Sequence, residues 1–206
     1  MPKDGRQMLK LFLDRPVLSG FIRQNRGRGS MRHRNQEAHK PLLKKTSRPV
    51  VLVPTWKSGF KYEEAFCRNN GLVTSEEQEK LRSSTIGIPG MGGVGGIHLM
   101  TLARMGIGGF HIADQDTFSL ANFNRQYGAT VSTIGKSKVD VMAEQVKQIN
   151  PEIRLKSWNA FVDEKNVVAF LYGCDVVVDS LDAYATNVRR LLFTKARELG
   201  ITVVTA

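Results

Sequence analysis

The stretch "GIPGMGGVGGIH", residues 87–98, places six glycines in twelve residues and then passes into an apolar, helix-like run. A glycine-rich turn between a strand and a helix lets the backbone approach an anion and aims free N–H groups, with the positive helix end, at it. Gly90, Gly92, Gly93 and Gly95 supply that turn. Pro89 cannot donate to a sheet ladder, so the preceding strand is expected to end at or before it. An apolar strand around Ser84–Ile88, a helix from about Val94 to Met105 and the strand "GFHIA" then form a βαβ unit. The same glycines also fit a tight strand-to-helix junction with no ligand. Alone, the glycine pattern is weak evidence for a ligand.

The pattern continues on both sides. In "TSEE" Thr74 can cap a helix and Glu77 can reach back to it, which predicts a short helix to about Arg82. After "GFHIA" comes a polar stretch, then a helix from about Ser137 to Ile149 stopped by Asn150-Pro151. A strand near Ile153–Trp158, a short helix near Asn166–Leu171, the strand "DVVVD", a helix from about Ala185 to Leu199 and the closing "ITVVTA" follow. Strands alternating with helices predict an α/β fold, a doubly wound, mostly parallel sheet of Rossmann type. The closing run reads as a buried strand, and a sheet that stops there leads us to expect a piece of a longer fold.

Charge divides the chain. Residues 1–60 hold 14 Lys/Arg against 3 Asp/Glu, whereas residues 61–206 hold 16 of each. The basicity belongs to the N-terminal extension, 1–57, which shows no sustained period and is expected to be disordered. Its composition suits an arm that grips nucleic acid or an anionic surface, an organelle transit peptide, or a solvated extension without function. The folded domain is placed at 58–206. No apolar run approaches the roughly 20 residues of a membrane span, so no membrane partner and a cytoplasmic location are expected. Two cysteines without a C-x-x-C pair give neither a disulfide framework nor a zinc site. Cys174, just before an apolar strand, reads as core filling.

The residues after the second strand narrow the ligand. Asp114 lies 19 residues after Gly95, about where a carboxylate accepts hydrogen bonds from a ribose. "DQDTFSLANFNRQ" also carries Asp116, Asn122, Asn124 and Arg125, and "IGKSKVD" puts Lys138 at the start of a helix. A redox dinucleotide has little use for such cations, whereas ATP activating a carboxylate develops phosphate charge that Arg, Lys and Mg²⁺ must stabilise. Singly, Arg125 and Lys138 also read as solvated surface charges.

"GMGGVG", "ADQDTFSLANFNRQ", "IGKSKV", "INPEI" and "VVVDSLD", in this order, resemble the ThiF/MoeB/HesA adenylyltransferase family, whose fold is shared by ubiquitin-activating enzymes. The resemblance covers about residues 62–206. It implies transfer of AMP from ATP to a carboxylate, typically the C-terminal glycine of a small ubiquitin-like protein, with release of pyrophosphate. On that resemblance Gly90, Gly92, Gly93 and Gly95 lie against the nucleotide, Asp114 binds the ribose hydroxyls and Asn122 supports the contact. Arg125 and Lys138 hold the phosphates and stabilise departing pyrophosphate. The magnesium-binding aspartate falls on Asp182, which also reads as a helix N-cap before "AYATNVRR". Arg68 of "FCRNNG" matches an arginine that often reaches into a partner subunit's site, which implies a homodimer. Ala183 replaces an asparagine that often follows the magnesium aspartate. The half of the fold that usually carries the substrate groove, any zinc pairs and any acceptor cysteine is not in this sequence.

The leading expectation is an ATP- and Mg²⁺-dependent adenylyltransferase acting on the C-terminus of a ubiquitin-like sulfur carrier or a peptide. A second keeps fold and ATP and takes threonylcarbamoyladenosine in tRNA, which the basic extension suits. A third is a non-catalytic module binding a dinucleotide or a partner.

Overall fold

The structure, a computed structural model, describes residues 59–205. The readings made for residues 1–57 lie outside the described residues.

The fold starts with one turn of helix, α1 (Tyr62–Ala65), a 3₁₀ turn over Cys67–Asn69, and α2 (Ser75–Ser83). The capping box forms as the sequence predicts. Thr74 Oγ1 accepts from Glu77 N at 3.2 Å, and Glu77 Oε2 accepts from Thr74 N at 2.8 Å. Both satisfy backbone donors that the first helical turn leaves unpaired. The βαβ unit follows as β1 (Thr85–Pro89), α3 (Gly93–Arg104) and β2 (Gly109–Ala113). β1 includes Pro89, whose missing donor is replaced by Gly90, whose N–H reaches Ala113 O at 2.6 Å. A 3₁₀ turn over Leu120–Asn122, not foreseen in the polar stretch, precedes α4 (Lys138–Ile149), which Ser137 caps through Asp140 N. Then come β3 (Arg154–Trp158), α5 (Val167–Leu171), β4 (Val176–Asp179), α6 (Thr186–Glu198) and β5 (Thr202–Thr205).

The sheet order is β3-β2-β1-β4-β5, with every pairing parallel. This is the expected Rossmann-type arrangement. The chain winds outward from β1 to β3, then returns past β1 to start β4. The crevice between β1 and β4 is therefore the switch point where such sheets bind ligands. The glycine turn leaves β1 at that point.

Two apolar clusters cover the two faces. On one, Leu99, Met100, Ala103, Val139, Met142 and Val146 of α3 and α4 pack on Ile86, Ile88, Phe110 and Ile112. On the other, Val167, Phe170, Leu171, Leu192 and Ala196 of α5 and α6 pack on Ala113 and Val177 with Cys174. Alternation along β1 turns Gly87 to this second face, where an added Cβ would meet Cys174 Sγ and Val177 Cγ2 at 3.1 Å. Cys174 is buried as expected, and burial, with the Asp175 charge next, pushes its thiol up to about 12.

β5 differs from its expectation as a buried strand. Thr202, Val204 and Thr205 are exposed and only Val203 is half-buried. The strand pairs with β4 alone, so its apolar run marks the edge of the described sheet rather than its middle.

Candidate functional site

The glycine turn is held open by close approach. Gly90 has φ +102°, a left-handed conformation that favours glycine. At Gly95 an added Cβ would run into the Gly90 carbonyl and approach Ser180 Oγ at 2.8 Å. The first turn of α3 is therefore pressed against the loop it follows. Ser180, at the end of β4, donates from Oγ to Pro89 O at 2.6 Å and contacts Gly90 O at 3.1 Å, stitching the turn across the switch point. Gly92 is the N-cap of α3 and makes no side-chain cap, so the helix opens on bare backbone donors.

Asp114 ties β2 to this turn. Its carboxylate is 4% exposed and accepts from Met91 N at 2.7 Å and from Asp116 N at 2.8 Å. Each oxygen so far takes one hydrogen bond and can accept another. Lys138, at the start of α4, is only 5% exposed and donates from Nζ to Asp116 Oδ2 at 2.9 Å. Its backbone N–H also reaches Asp116 O at 2.9 Å. A chain of hydrogen bonds thus runs from Lys138 through Asp116 and Asp114 to Met91. The surface-charge reading of Lys138 does not hold, because a lysine this buried stands beside a fixed carboxylate.

Arg125 comes to the same place from the connection between β2 and α4. An added Cβ at Gly93 would lie 3.6 Å from Arg125 Cγ and 3.4 Å from Arg125 O, so the arginine stem crosses the start of α3. Its head is exposed, donating to Ala121 O at 2.9 Å and Asn124 Oδ1 at 3.1 Å. Asn122 is 9% exposed, and its Oδ1 accepts from Ser119 N at 2.8 Å and Ser119 Oγ at 3.2 Å. Its side-chain oxygen therefore holds the 3₁₀ turn that presents Arg125. A hollow of about 500 Å³, with Gly93, Ile97, Phe123, Arg125 and Tyr127 in its wall, opens beside them.

Asp182 follows β4 at the same end of the sheet and is exposed. It does not cap α6, whose N-cap is Ala185 without a side-chain bond. Asp182 Oδ1 accepts from Tyr184 N at 3.0 Å, and its Oδ2 has no partner among the described residues. Among the described residues no three His, Cys, Asp or Glu cluster to hold a metal. The donor set fits magnesium only in the manner of a nucleotide site, with one carboxylate and the phosphates supplying the oxygens.

Arg68 is not brought to this site. It is exposed on the 3₁₀ turn Cys67–Asn69, where Asn69 Nδ2 donates to Met105 O at 3.0 Å and Tyr62 OH donates to Gly106 O at 2.5 Å. Met105 and Gly106 follow the end of α3, about 18 Å of helix away from Gly93.

Several residues went unassigned in the sequence. Ser180 carried no spacing signal. Asp116 was visible as a charge, but nothing told which lysine it holds. Asp179 has a fully buried carboxylate that accepts from Arg189 Nε at 2.7 Å, while Arg189 Nη2 donates to Leu181 O at 2.8 Å, fixing the segment that carries Asp182.

Comparison with known proteins bears on this geometry. A model described as the ThiF family matches residues 66–206. A tRNA threonylcarbamoyladenosine dehydratase of Haemophilus influenzae is 35% identical over 144 residues, 69% of this chain and 55% of that protein. The molybdopterin-synthase adenylyltransferase of Escherichia coli is 35% identical over 110 residues, 53% of this chain and 44% of that one. Among solved structures, the E. coli tRNA N6-threonylcarbamoyladenosine dehydratase in complex with ATP superposes with a TM-score of 0.66 at 32% identity. It covers 69% of this chain and 58% of that one. The chain spans about half the length of the curated relatives it matches.

Proposed function

Because the chain belongs to the ThiF family, we propose that it uses ATP to adenylate a carboxylate, releasing pyrophosphate. The observation that carries this reading is the buried Lys138, tied through Asp116 and Asp114 to the glycine turn at the switch point. A cation fixed beside a bare helix N-terminus makes a positive site matched to a polyphosphate.

In this reading the triphosphate lies on Gly90–Gly95 at the amino end of α3. A carboxylate oxygen attacks the α-phosphorus, the bond to the bridging oxygen breaks, and pyrophosphate leaves with the electron pair. Arg125 and Lys138 stabilise the charge that develops on the departing group. The phosphates compete with Asp116 for Lys138 Nζ, so the pair is a preformed mount for the lysine. Asp114, already fixed by two N–H groups, offers its remaining lone pairs to the ribose. Asp182, together with the phosphates, would hold magnesium, which would supply further neutralisation. Catalysis is by position and electrostatics, with no covalent nucleophile.

The carboxylate is where the readings part. Matches to tRNA threonylcarbamoyladenosine dehydratases of three bacteria, at 34–38% identity, favour the threonyl carboxylate of that modified nucleoside. The second reading, a ubiquitin-like sulfur carrier, draws on the molybdopterin-synthase adenylyltransferase. Arg68 acts, in either, in the site of a second copy, since its own site lies at the far end of α3.

The test is exchange of labelled pyrophosphate into ATP, run with tRNA carrying the modified nucleoside and, separately, with a sulfur-carrier protein. Exchange with the tRNA supports the first reading, and exchange only with the carrier selects the second. No exchange with either contradicts adenylation of these substrates by this chain.

A further inference from the structure

The aspartate that follows β4 sits on a segment with little packing of its own. Leu181 is half-buried, while Asp182, Ala183 and Tyr184 are all exposed, and α6 begins after them without a side-chain cap. Polar bonds hold this segment instead, and most of them come from one ion pair. The Asp179 side chain is fully buried and both of its oxygens are taken. Its Oδ2 accepts from Arg189 Nε at 2.7 Å, and its Oδ1 accepts from Leu181 N at 3.1 Å. The rest of the Arg189 head meets the backbone. Nη2 donates to Leu181 O at 2.8 Å and to Asp182 O at 3.3 Å, with a longer contact from Nη1 to Ala183 O at 3.4 Å. Three consecutive carbonyls and one N–H are thus fastened to a single buried pair. Such a pair is weak evidence for stability, because desolvating both charges offsets their attraction. What this one provides is geometry.

We propose that Arg189 is a positioning residue for magnesium, fixing the Asp182 carboxylate in place before the ion and ATP arrive. The inference rests on the adenylation reading, in which Asp182 and the phosphates would hold the ion. With its main chain clamped, Asp182 takes one side-chain orientation. In it Oδ1 accepts from Tyr184 N at 3.0 Å, and Oδ2 keeps its lone pairs for a ligand. The near end of the segment is fixed as well, since Ser180 Oγ donates to Pro89 O at 2.6 Å. The carboxylate is therefore set relative to the glycine turn, on which the triphosphate lies in that reading. A single carboxylate has few bonds with which to hold a hydrated cation, so any ordering cost weighs heavily on it. A clamp made beforehand removes that cost from binding. Arginine suits the task because its planar head carries five donors. A lysine keeps the charge beside Asp179 but cannot span three carbonyls.

The experiment is calorimetric titration of the full chain with ATP, with and without Mg²⁺, for wild type, Arg189→Lys, Asp182→Ala and the double variant. The quantity read is the ratio of the two ATP affinities. Loss of a group that orients a metal ligand predicts a ratio about tenfold lower in Arg189→Lys, with the magnesium-free affinity unchanged. In Asp182→Ala chains the ratio is already low, and adding Arg189→Lys should lower it no further. A wild-type ratio in Arg189→Lys overturns the proposal and leaves the adenylation reading standing. An equal loss with and without magnesium does the same, as does a further loss in the Asp182→Ala background, because a residue that only supports the fold acts in those ways. Wild type that gains nothing from magnesium, or binds no ATP, removes the magnesium–ATP reading and this proposal together. Should Arg189→Lys fail to fold, the wild-type chain still decides. Before any ligand is added, the backbone amides of residues 181–184 should be as ordered as those of α6, with order parameters of about 0.85. Values below those of the helix show that nothing sets Asp182 in advance, and overturn the proposal.

Discussion

At the scale of single residues, Gly95 and Lys138 carry the sharpest consequences. Gly95→Ala drives a methyl into the Gly90 carbonyl and towards Ser180 Oγ, so either the turn or the start of α3 must move. Overpacking of this kind costs about 1–3 kcal/mol, and here it falls on the backbone donors themselves. We expect a lower thermal midpoint together with loss of ATP binding, read by calorimetry on the same sample. A variant that melts lower but binds ATP normally would show that the turn does not meet the ligand. Lys138→Ala leaves Asp116 unpaired at the mouth of the site. It is expected to weaken ATP binding at least tenfold and to lower pyrophosphate exchange further, because its charge matters most as pyrophosphate departs. Cys174→Ser makes the opposite prediction, since its high-pKa thiol is packing. It should cost stability and leave ATP affinity unchanged.

At the scale of elements, α2 separates structure from function. Its capping box is exposed and lies on the same side as the Met105–Gly106 turn, away from the glycines. Thr74→Ala should cost about 1 kcal/mol, a few degrees of melting temperature, without touching ATP affinity. The elements were also where the sequence spoke most clearly. Thr74 and Glu77, the glycines after β1 and Asn150-Pro151 after α4 placed helix ends within a residue or two, because each signal acts on its own backbone. The site was less legible. The sequence brought Gly90–Gly95, Asp114, Arg125 and Lys138 into one list, but Lys138 is reached only through Asp116, and Ser180 joins the turn from 91 residues away. Such partners depend on strand order, which no local pattern records. β5 shows the converse limit, since a β-branched run of four residues reads the same at the edge of a sheet as in its middle.

At the scale of the molecule, pH dependence tests the second core face. Burial holds the His111 imidazole below its ordinary value of 6.5, against the raising effect of its Nδ1 hydrogen bond to Phe170 O at 2.7 Å. The folded state therefore prefers neutral His111. Its contribution is fully present above about pH 6.5 and is lost as pH falls below that, when the unfolded chain binds the proton first. Urea midpoints should be level from pH 8 to 7 and decline below about pH 6.5, with a flatter decline in His111→Gln. Dimer formation belongs to the same scale. If Arg68 serves a second copy, mixing Arg68→Ala with Lys138→Ala chains should restore pyrophosphate exchange that neither shows alone.

The central claim is that the glycine turn, Arg125, Lys138 and Asp182 form one magnesium–ATP site. It is tested most directly by titrating the chain with ATP, with and without Mg²⁺ and with NAD as competitor, in wild type and Lys138→Ala. The account predicts magnesium-dependent ATP binding that the substitution weakens and NAD does not displace. ATP binding indifferent to both magnesium and Lys138, or NAD binding in its place, would contradict it.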